Sequence, residues 1–158
     1  MQLILSFLTP LGLAILLGGL LGIERTLAGK TAGMRTYALV SMGSALFIII
    51  SEMFSGINGS PIDPLHLTPQ ILLGVGFIGA GLVAFRDQKI TGVTSAAGLW
   101  VSAGVGIACG YGFYNSVFYK LALVATILTI LVFTVLWFVE KLIKKYSYNK
   151  VGHNGGEE

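Results

Sequence analysis

Five runs of apolar residues, separated by short polar segments, dominate the pattern of the chain. They cover residues 3–23, 36–54, 70–85, 94–111 and 117–139. A helix needs roughly 20 apolar residues to cross a bilayer, and the runs approach that length, although the third is short. The pattern therefore predicts an all-α integral membrane protein with five transmembrane helices.

Small residues recur every four positions in the fourth run and also mark the first and third runs. Between helices in lipid there is little hydrophobic force, so a smooth stripe of small residues lets two backbones approach and pack. We therefore predict that the hairpin of the third and fourth runs is the packing centre, and that the bulkier last run is peripheral. The predicted packing residues are Gly18, Gly22, Gly76, Gly79, Gly98, Ser102, Gly106 and Gly110.

The placement of charge predicts the orientation of the helices. Every basic residue except Lys120 falls on one side of the predicted bundle, and basic residues near segment ends stay in the cytoplasm. The N-terminus is thus expected outside and the C-terminus inside. The net charge of +3 follows from this topology, so no nucleic-acid partner is expected.

Two domains are expected. Residues 1–139 form the transmembrane helical domain, and residues 140–158 form a short basic cytoplasmic tail. The distal part of this tail, from Gly152 onwards, is rich in glycine and polar residues, and such a segment is expected to be disordered.

Two Thr-Pro pairs, Thr9-Pro10 and Thr68-Pro69, predict helix starts with threonine as the N-cap and proline in the first turn. Residues 1–8 would then form an irregular lead-in. A gap-free shift that superposes these pairs predicts a parallel duplication of a helical hairpin about an axis along the membrane normal. Chance matching of apolar sequence is the alternative. The same shift places Lys30, Gly33 and Ala38 on Lys89, Gly92 and Ala97.

Motifs for catalysis or cofactor binding are weak. Residues 74–79 match GxGxxG, but they lie in a membrane run with no acidic residue about 20 positions later. Close helix packing is the favoured interpretation there, ahead of an irregular helix that lines a cavity. Cys109 is expected to be buried in the fourth helix. No nucleophile, base and orienting group converge, so we expect neither an enzyme nor a cofactor.

The acidic residues Glu24, Glu52, Asp63 and Asp87 are spread over both faces of the predicted bundle and make a poor magnesium cage. A weak magnesium site at Glu24 or Asp87 remains open, since magnesium often uses one or two carboxylates. Salt bridges are favoured instead. The expected pairs join Glu24 to Arg35 or Arg86, and Asp87 to Arg25.

Charged residues cluster in the two loops predicted to face the cytoplasm. One interpretation is that they only set topology and extend to lipid phosphates. The other is that they form an anion site, in which the planar guanidinium groups of Arg35 and Arg86 each bind an oxyanion through two hydrogen bonds. The members of this predicted cytoplasmic polar cluster are Glu24, Arg25, Lys30, Arg35, Arg86, Asp87 and Lys89.

Four ordered segments resemble motifs of the MgtC/SapB family. They read LGGLLGIER at residues 17–25, AGMRT at 32–36, GVGFIGAG at 74–81 and GVTSAAGLW at 92–100. The similarity covers residues 11–129. Because four motifs match in order and spacing, the resemblance is specific.

The resemblance implies a bacterial inner-membrane protein linked to magnesium limitation, acid stress or intracellular survival. In that family some members restrain the membrane ATP synthase rather than carry magnesium, so the resemblance does not by itself imply transport. Many members have a cytosolic ACT-like domain after the last helix. We expect the present chain, which ends at Glu158, to lack that domain.

The leading functional hypothesis is a non-enzymatic membrane regulator that acts through protein partners. The expected partners are the lipid bilayer, a second copy of the chain docked on glycine ridges of the first and fourth helices, and other membrane proteins such as the ATP synthase. The alternative is a small transporter or channel subunit for magnesium or another ion.

Overall fold

The computed structural model of the chain describes residues 2–58, 67–86 and 89–153, with side chains at residues 5–54, 67–83, 90–139 and 141. Within these residues it contains five helices and one antiparallel β-hairpin. The helices are α1 (Gln2–Leu27), α2 (Met34–Asn58), α3 (Leu67–Leu82), α4 (Val93–Gly112) and α5 (Val117–His153). The strands are β1 (Ala84–Arg86) and β2 (Lys89–Thr91).

Four of the described helices are long and apolar enough to cross a bilayer. These candidate spans are Leu5–Leu27, Met34–Phe54, Val93–Gly112 and Val117–Val139. The chain is therefore a multi-pass, predominantly helical membrane protein. α3 has 16 residues and a length of about 24 Å, below the roughly 30 Å of a hydrocarbon core. The fifth span and the orientation remain predictions.

α4 lies at the centre of the bundle and contacts α1, α2, α3 and α5. The predicted packing centre is therefore correct for α4 but wrong for α3, of which Val75 and Gly79 are buried. In the apolar window of α4, 61% of the residues are buried, whereas in that of α5 11% are buried. The peripheral position predicted for the last helix is therefore confirmed. The physical reason is side-chain size, because small residues on α4 admit neighbouring backbones whereas the branched and aromatic residues of α5 do not.

Three helices meet at backbone distance around Ser41 of α2. A Cβ added at Gly18 of α1 would lie 2.6 Å from the Ser41 Cβ and 2.8 Å from the Tyr37 carbonyl oxygen. A Cβ added at Gly106 of α4 would overlap the Ser41 carbonyl oxygen. Ser102 Oγ, one turn before Gly106, donates a 2.9 Å hydrogen bond to the Tyr37 carbonyl. Small residues are thus needed at these positions, because atoms of the neighbouring helix occupy the space that a larger side chain would fill.

Further glycines bring other helix pairs together. A Cβ at Gly110 would lie 2.8 Å from the Ala45 carbonyl oxygen, and one at Gly22 would lie 2.6 Å from the Met34 Cα. At Gly98 it would overlap the Tyr37 hydroxyl. Gly79 is less crowded, since its nearest neighbour, the Ala96 Cβ, would be 3.5 Å away in ordinary contact.

Gly76 departs from the predicted packing set. A Cβ added there has no heavy atom within 4 Å, and the residue lies on the outward face of α3 beside Phe77. Helical geometry explains this, because Val75 and Gly79, four positions apart, form the buried side of α3. Among the described residues, a side chain at position 76 would therefore meet no neighbouring helix.

The helix start predicted at Thr9-Pro10 is wrong. α1 begins at Gln2, and Pro10 lies inside it. Thr9 Oγ1 does not cap the helix but donates a 3.2 Å hydrogen bond to the Leu5 carbonyl of the preceding turn. Membrane helices tolerate proline because nearby hydroxyls and neighbouring helices satisfy the freed backbone groups. At the second pair, Pro69 lies in the first turn of α3.

α5 is described as far as His153, which includes Gly152, and the predicted division into a transmembrane domain and a cytoplasmic tail stays a prediction. No glycine or proline occurs between Val139 and Val151, so the sequence contains no strong signal to stop the helix. Residues 154–158, the rest of the predicted disordered segment, lie outside the described residues.

The predicted duplication stays a prediction. In its favour, Gly33 and Gly92 each precede a helix, and their carbonyls accept hydrogen bonds from Tyr37 N at 3.1 Å and Ala96 N at 2.9 Å. The two hairpins nevertheless differ, because α1 has 26 residues and α3 has 16. A β-hairpin joins the second pair.

The contact at Gly106 generates a stability test with a control on the same helix. We expect Gly106→Ala to lower the melting temperature in detergent, because the new methyl group displaces the backbone of Ser41. Gly104→Ala adds the same methyl group where no heavy atom lies within 4 Å, and should leave stability unchanged or raise it by about 0.5–1 kcal/mol. Equal melting temperatures for the two variants would contradict the central position of α4.

Candidate functional site

A cavity of about 600 Å³ lies between the end of α1 and the second half of α5. We call it the basic pocket. Three cationic side chains and one carboxylate line it, together with an apolar wall that comes mostly from α5. The lining residues are Glu24, Arg25, Ala28, Lys30, Thr94, Val132, Phe133, Leu136, Trp137 and Lys141.

Arg25 is the buried charge of this pocket, with only 8% of its side chain exposed. Its Nε donates to the Glu24 carboxylate in an ion pair, and its guanidinium carbon lies 4.8 Å from the centre of the Phe133 ring. The Phe133 ring also packs on α4, because its Cζ would lie 3.0 Å from a Cβ added at Gly98. Arg25 is thus held on one side by charge and on the other by an aromatic face.

The last turn of α1 folds Lys30 back beside Arg25. Lys30 N donates to the Arg25 carbonyl at 2.9 Å, and Gly29 N donates to the Thr26 carbonyl at 3.1 Å. Gly29 has φ 63°. These two bonds around a left-handed glycine form a Schellman motif, which satisfies the free carbonyls of a helix end. The motif brings the second cation of the pocket next to the first.

Thr26 fixes the following loop against α1. Its Oγ1 donates to the Gly22 carbonyl at 3.1 Å and accepts a 2.8 Å hydrogen bond from Met34 N, the first residue of α2. A side chain of α1 therefore caps the N-terminus of α2. A Cβ at Gly33 would overlap this hydroxyl, so the glycine is required for the close approach.

Tyr37 connects the loop region to α4. The residue is fully buried, and its hydroxyl donates a 2.9 Å hydrogen bond to the carbonyl of Ser95 in the first turn of α4. Because Tyr37 also lies against Gly98, the wall behind Phe133 is fixed by both α2 and α4.

The structure brings part of the predicted polar cluster together. Glu24, Arg25 and Lys30 line the basic pocket, whereas Arg35 is exposed and lies outside it. The pairing of Glu24 with Arg35 is wrong, because Glu24 pairs with its neighbour Arg25 at the helix end.

The second predicted loop is a β-hairpin in which Arg86 and Lys89 are register partners. The side chains of both residues lie outside the described part of the structure, as does all of Asp87. The predicted pairs of Glu24 with Arg86 and of Asp87 with Arg25 therefore stay predictions.

Sequence reasoning missed the contribution of α5. The sequence predicts only a role in membrane orientation for Lys141. In the structure its Nζ lies 5.1 Å from the centre of the Trp137 ring. The available signal was the spacing of these two residues, since positions i and i+4 share one helix face. The contact of Phe133 with Arg25 has no local signal, because the two residues belong to the first and last helices.

A divalent cation is disfavoured at Glu24. The carboxylate shares the pocket with Arg25, Lys30 and Lys141, so an approaching cation meets net positive charge. Among the residues whose placement is described, no three His, Cys, Asp or Glu side chains are grouped to hold a metal. Asp63 and His66 lie outside those residues.

Comparison with known proteins then identifies the family. The model of the MgtC family matches residues 11–143, which include the glycine contacts of the bundle and the whole basic pocket. The chain belongs to the MgtC family. The family resemblance expected from the four sequence motifs is thereby confirmed.

Proteins from several bacteria are similar to this chain. The Escherichia coli K12 protein named "Putative magnesium transporter YhiD" is 40% identical over 134 residues, which cover 82% of this chain and 60% of that protein. Protein MgtC of Salmonella typhimurium LT2 is 40% identical over 127 residues, or 80% of this chain and 51% of the relative. Protein MgtC of Brucella abortus is 40% identical over 75% of this chain and 46% of the relative.

This MgtC-family chain thus spans about half of the length of the curated relatives that it matches. No solved structure matches it.

The turn at Gly29 generates a prediction for the site. Gly29→Val should destabilise the protein by about 1–2 kcal/mol, because a branched side chain is strained in the left-handed region. Gly29→Asn should cost much less, since asparagine tolerates that conformation. Thermal unfolding in detergent measures both. Equal losses would contradict a role for the backbone conformation, because no heavy atom lies within 4 Å of a Cβ added at Gly29.

Proposed function

We propose that this MgtC-family chain is a non-enzymatic regulator of the bacterial inner membrane that acts through protein partners when magnesium is scarce. Five spans, an outer N-terminus and a cytoplasmic C-terminus belong to this proposal. The basic pocket then lies at the cytoplasmic surface, because cationic residues that flank helices are retained there.

The observation that carries the proposal is the closed packing of α1, α2 and α4. Gly18 brings α1 against the Ser41 Cβ and the Tyr37 carbonyl, and Gly106 brings α4 against the Ser41 backbone. At this level the space between the three helices is therefore filled with protein atoms. A packed bundle of this kind suits a scaffold that presents surfaces rather than one that conducts ions.

The outward faces supply surfaces for partners. On α3, Leu73 is 79% exposed and Phe77 is 84% exposed. Gly74 and Gly76 beside them have no heavy atom within 4 Å of an added Cβ. Open glycines next to large apolar residues favour docking of another membrane helix, because backbones can approach there. A second copy of the chain and the membrane ATP synthase are the partners that we propose to test.

Transport of magnesium or another ion is the second candidate function, favoured by the name of the relative YhiD. The charge of the basic pocket opposes it. Three cations against one carboxylate repel a divalent cation, whereas magnesium sites use carboxylates and other oxygen ligands.

Two measurements on the same protein separate these functions. In a strain that lacks its own MgtC-family protein, we expect this chain to restore growth at low magnesium. In proteoliposomes, the purified chain should give no saturable magnesium uptake. Saturable uptake that Glu24→Gln reduces without a change in melting temperature would replace the regulator proposal with the transporter.

Crosslinking tests the partner requirement. A photoreactive residue at position 77 of α3 should capture a specific membrane protein in cells. The control carries the same residue at position 128 on the lipid-facing side of α5, where Leu128 is exposed, and should give mainly lipid adducts. Restored growth without any specific capture at position 77 would count against the α3 surface.

A further inference from the structure

We propose that the basic pocket binds a phosphate group, with the Arg25 guanidinium as its fork and Lys30 and Lys141 as flanking cations. The phosphate belongs either to the headgroup of an anionic phospholipid or to a soluble phosphate compound. This inference goes beyond the proposed regulator, which acts through partner surfaces and needs no ligand at this position.

The charge balance of the pocket favours an anion. Arg25, Lys30 and Lys141 contribute three positive charges, and Glu24 contributes one negative charge. The wall behind them is apolar, formed by Val132, Phe133, Leu136 and Trp137 of α5. Beside such a wall the attraction between opposite charges is stronger than in water. A phosphate group placed there offsets the remaining positive charge.

Arg25 keeps donors available for that group. Arginine has five N–H donors in a fixed plane, and the ion pair with Glu24 uses Nε. Arg25 lines the cavity, and we assign its Nη donors to the phosphate. Two of them on one edge match the geometry of a phosphate.

Topology alone does not explain this arrangement. Basic residues that only set orientation extend their charged ends into water along apolar surface. Arg25 is instead 92% buried, since 8% of its side chain is exposed, and it stacks on Phe133. Two more cations converge on it from the α1 turn and from α5. Burial and convergence at one cavity are features of a binding site.

The position of the pocket fits a ligand that arrives from the membrane or from water. Its volume of about 600 Å³ holds a headgroup, and α5 beside it carries exposed apolar residues that acyl chains can follow. Basic pockets between helices at the cytoplasmic surface are known to bind anionic headgroups. The free end of the cavity, beside the exposed Lys30, also admits a soluble phosphate.

The test uses Trp137 as a reporter inside the pocket. The chain has two tryptophans, and Trp100→Phe leaves Trp137 alone. The full chain is placed in phosphatidylcholine nanodiscs. One arm adds phosphatidylglycerol with brominated acyl chains, which quench tryptophan, against brominated phosphatidylcholine. The other arm adds inorganic phosphate, against chloride at equal ionic strength.

Saturable quenching by phosphatidylglycerol, at lower lipid fractions than phosphatidylcholine requires, supports a headgroup as the source. A saturable fluorescence change with inorganic phosphate, absent with chloride, supports a soluble source. If neither arm saturates, the proposal is overturned.

Matched charge removals separate a site from general attraction. Lys30→Gln should raise the midpoint of the fluorescence response, to the lipid or to phosphate, about fivefold, because Lys30 lines the pocket. Arg35→Gln removes the same charge from an exposed residue outside it, and should change the midpoint little. Equal midpoint shifts for the two variants would mean that general surface charge attracts the anion, and would overturn the proposed site. Arg25→Lys keeps the charge but loses the fork, and we expect a loss at least as large as that of Lys30→Gln.

Discussion

The contact of α1 and α4 with α2 around Ser41 and Tyr37 is the constraint on which the rest of the bundle depends. Gly18 and Gly106 permit this approach, and Ser102 adds a hydrogen bond to the Tyr37 carbonyl one turn away. In lipid such packing has to replace the hydrophobic force that holds soluble helices together. The closeness has a cost, because the Ser41 hydroxyl is buried and, among the described side chains, left without a hydrogen-bond partner.

The same closeness builds the charged end of the bundle. Gly22 lies against Met34, so the last turn of α1 and the first turn of α2 cross where Thr26 caps α2. The chain between them has little freedom, and Gly29 turns it through a Schellman motif. Arg25 is therefore buried by the geometry of the helix crossing, and Phe133 from α5 closes the site over it.

The function of this MgtC-family chain is best understood from the contrast between its interior and its surface. The interior of the described bundle is packed at backbone distance, while α3 and α5 expose large apolar side chains. The basic pocket brings Arg25, Lys30 and Lys141 together with Glu24, so its net charge is positive. The positive charge of the pocket disfavours a magnesium ion there, which is consistent with the proposed regulator.

The sequence by itself determined the membrane class, the family, the peripheral last helix and the small-residue stripe of α4. These features are local, since hydropathy, residue size and motif order are read along one segment. Only the tertiary structure decided that Gly76 faces outward, that Glu24 pairs with Arg25, and that Phe133 and Lys141 complete the pocket. Helical periodicity leaves the rotation of each helix open until its neighbours pack against it. The pocket joins the first and last helices, and their meeting depends on the packing of α4 between them.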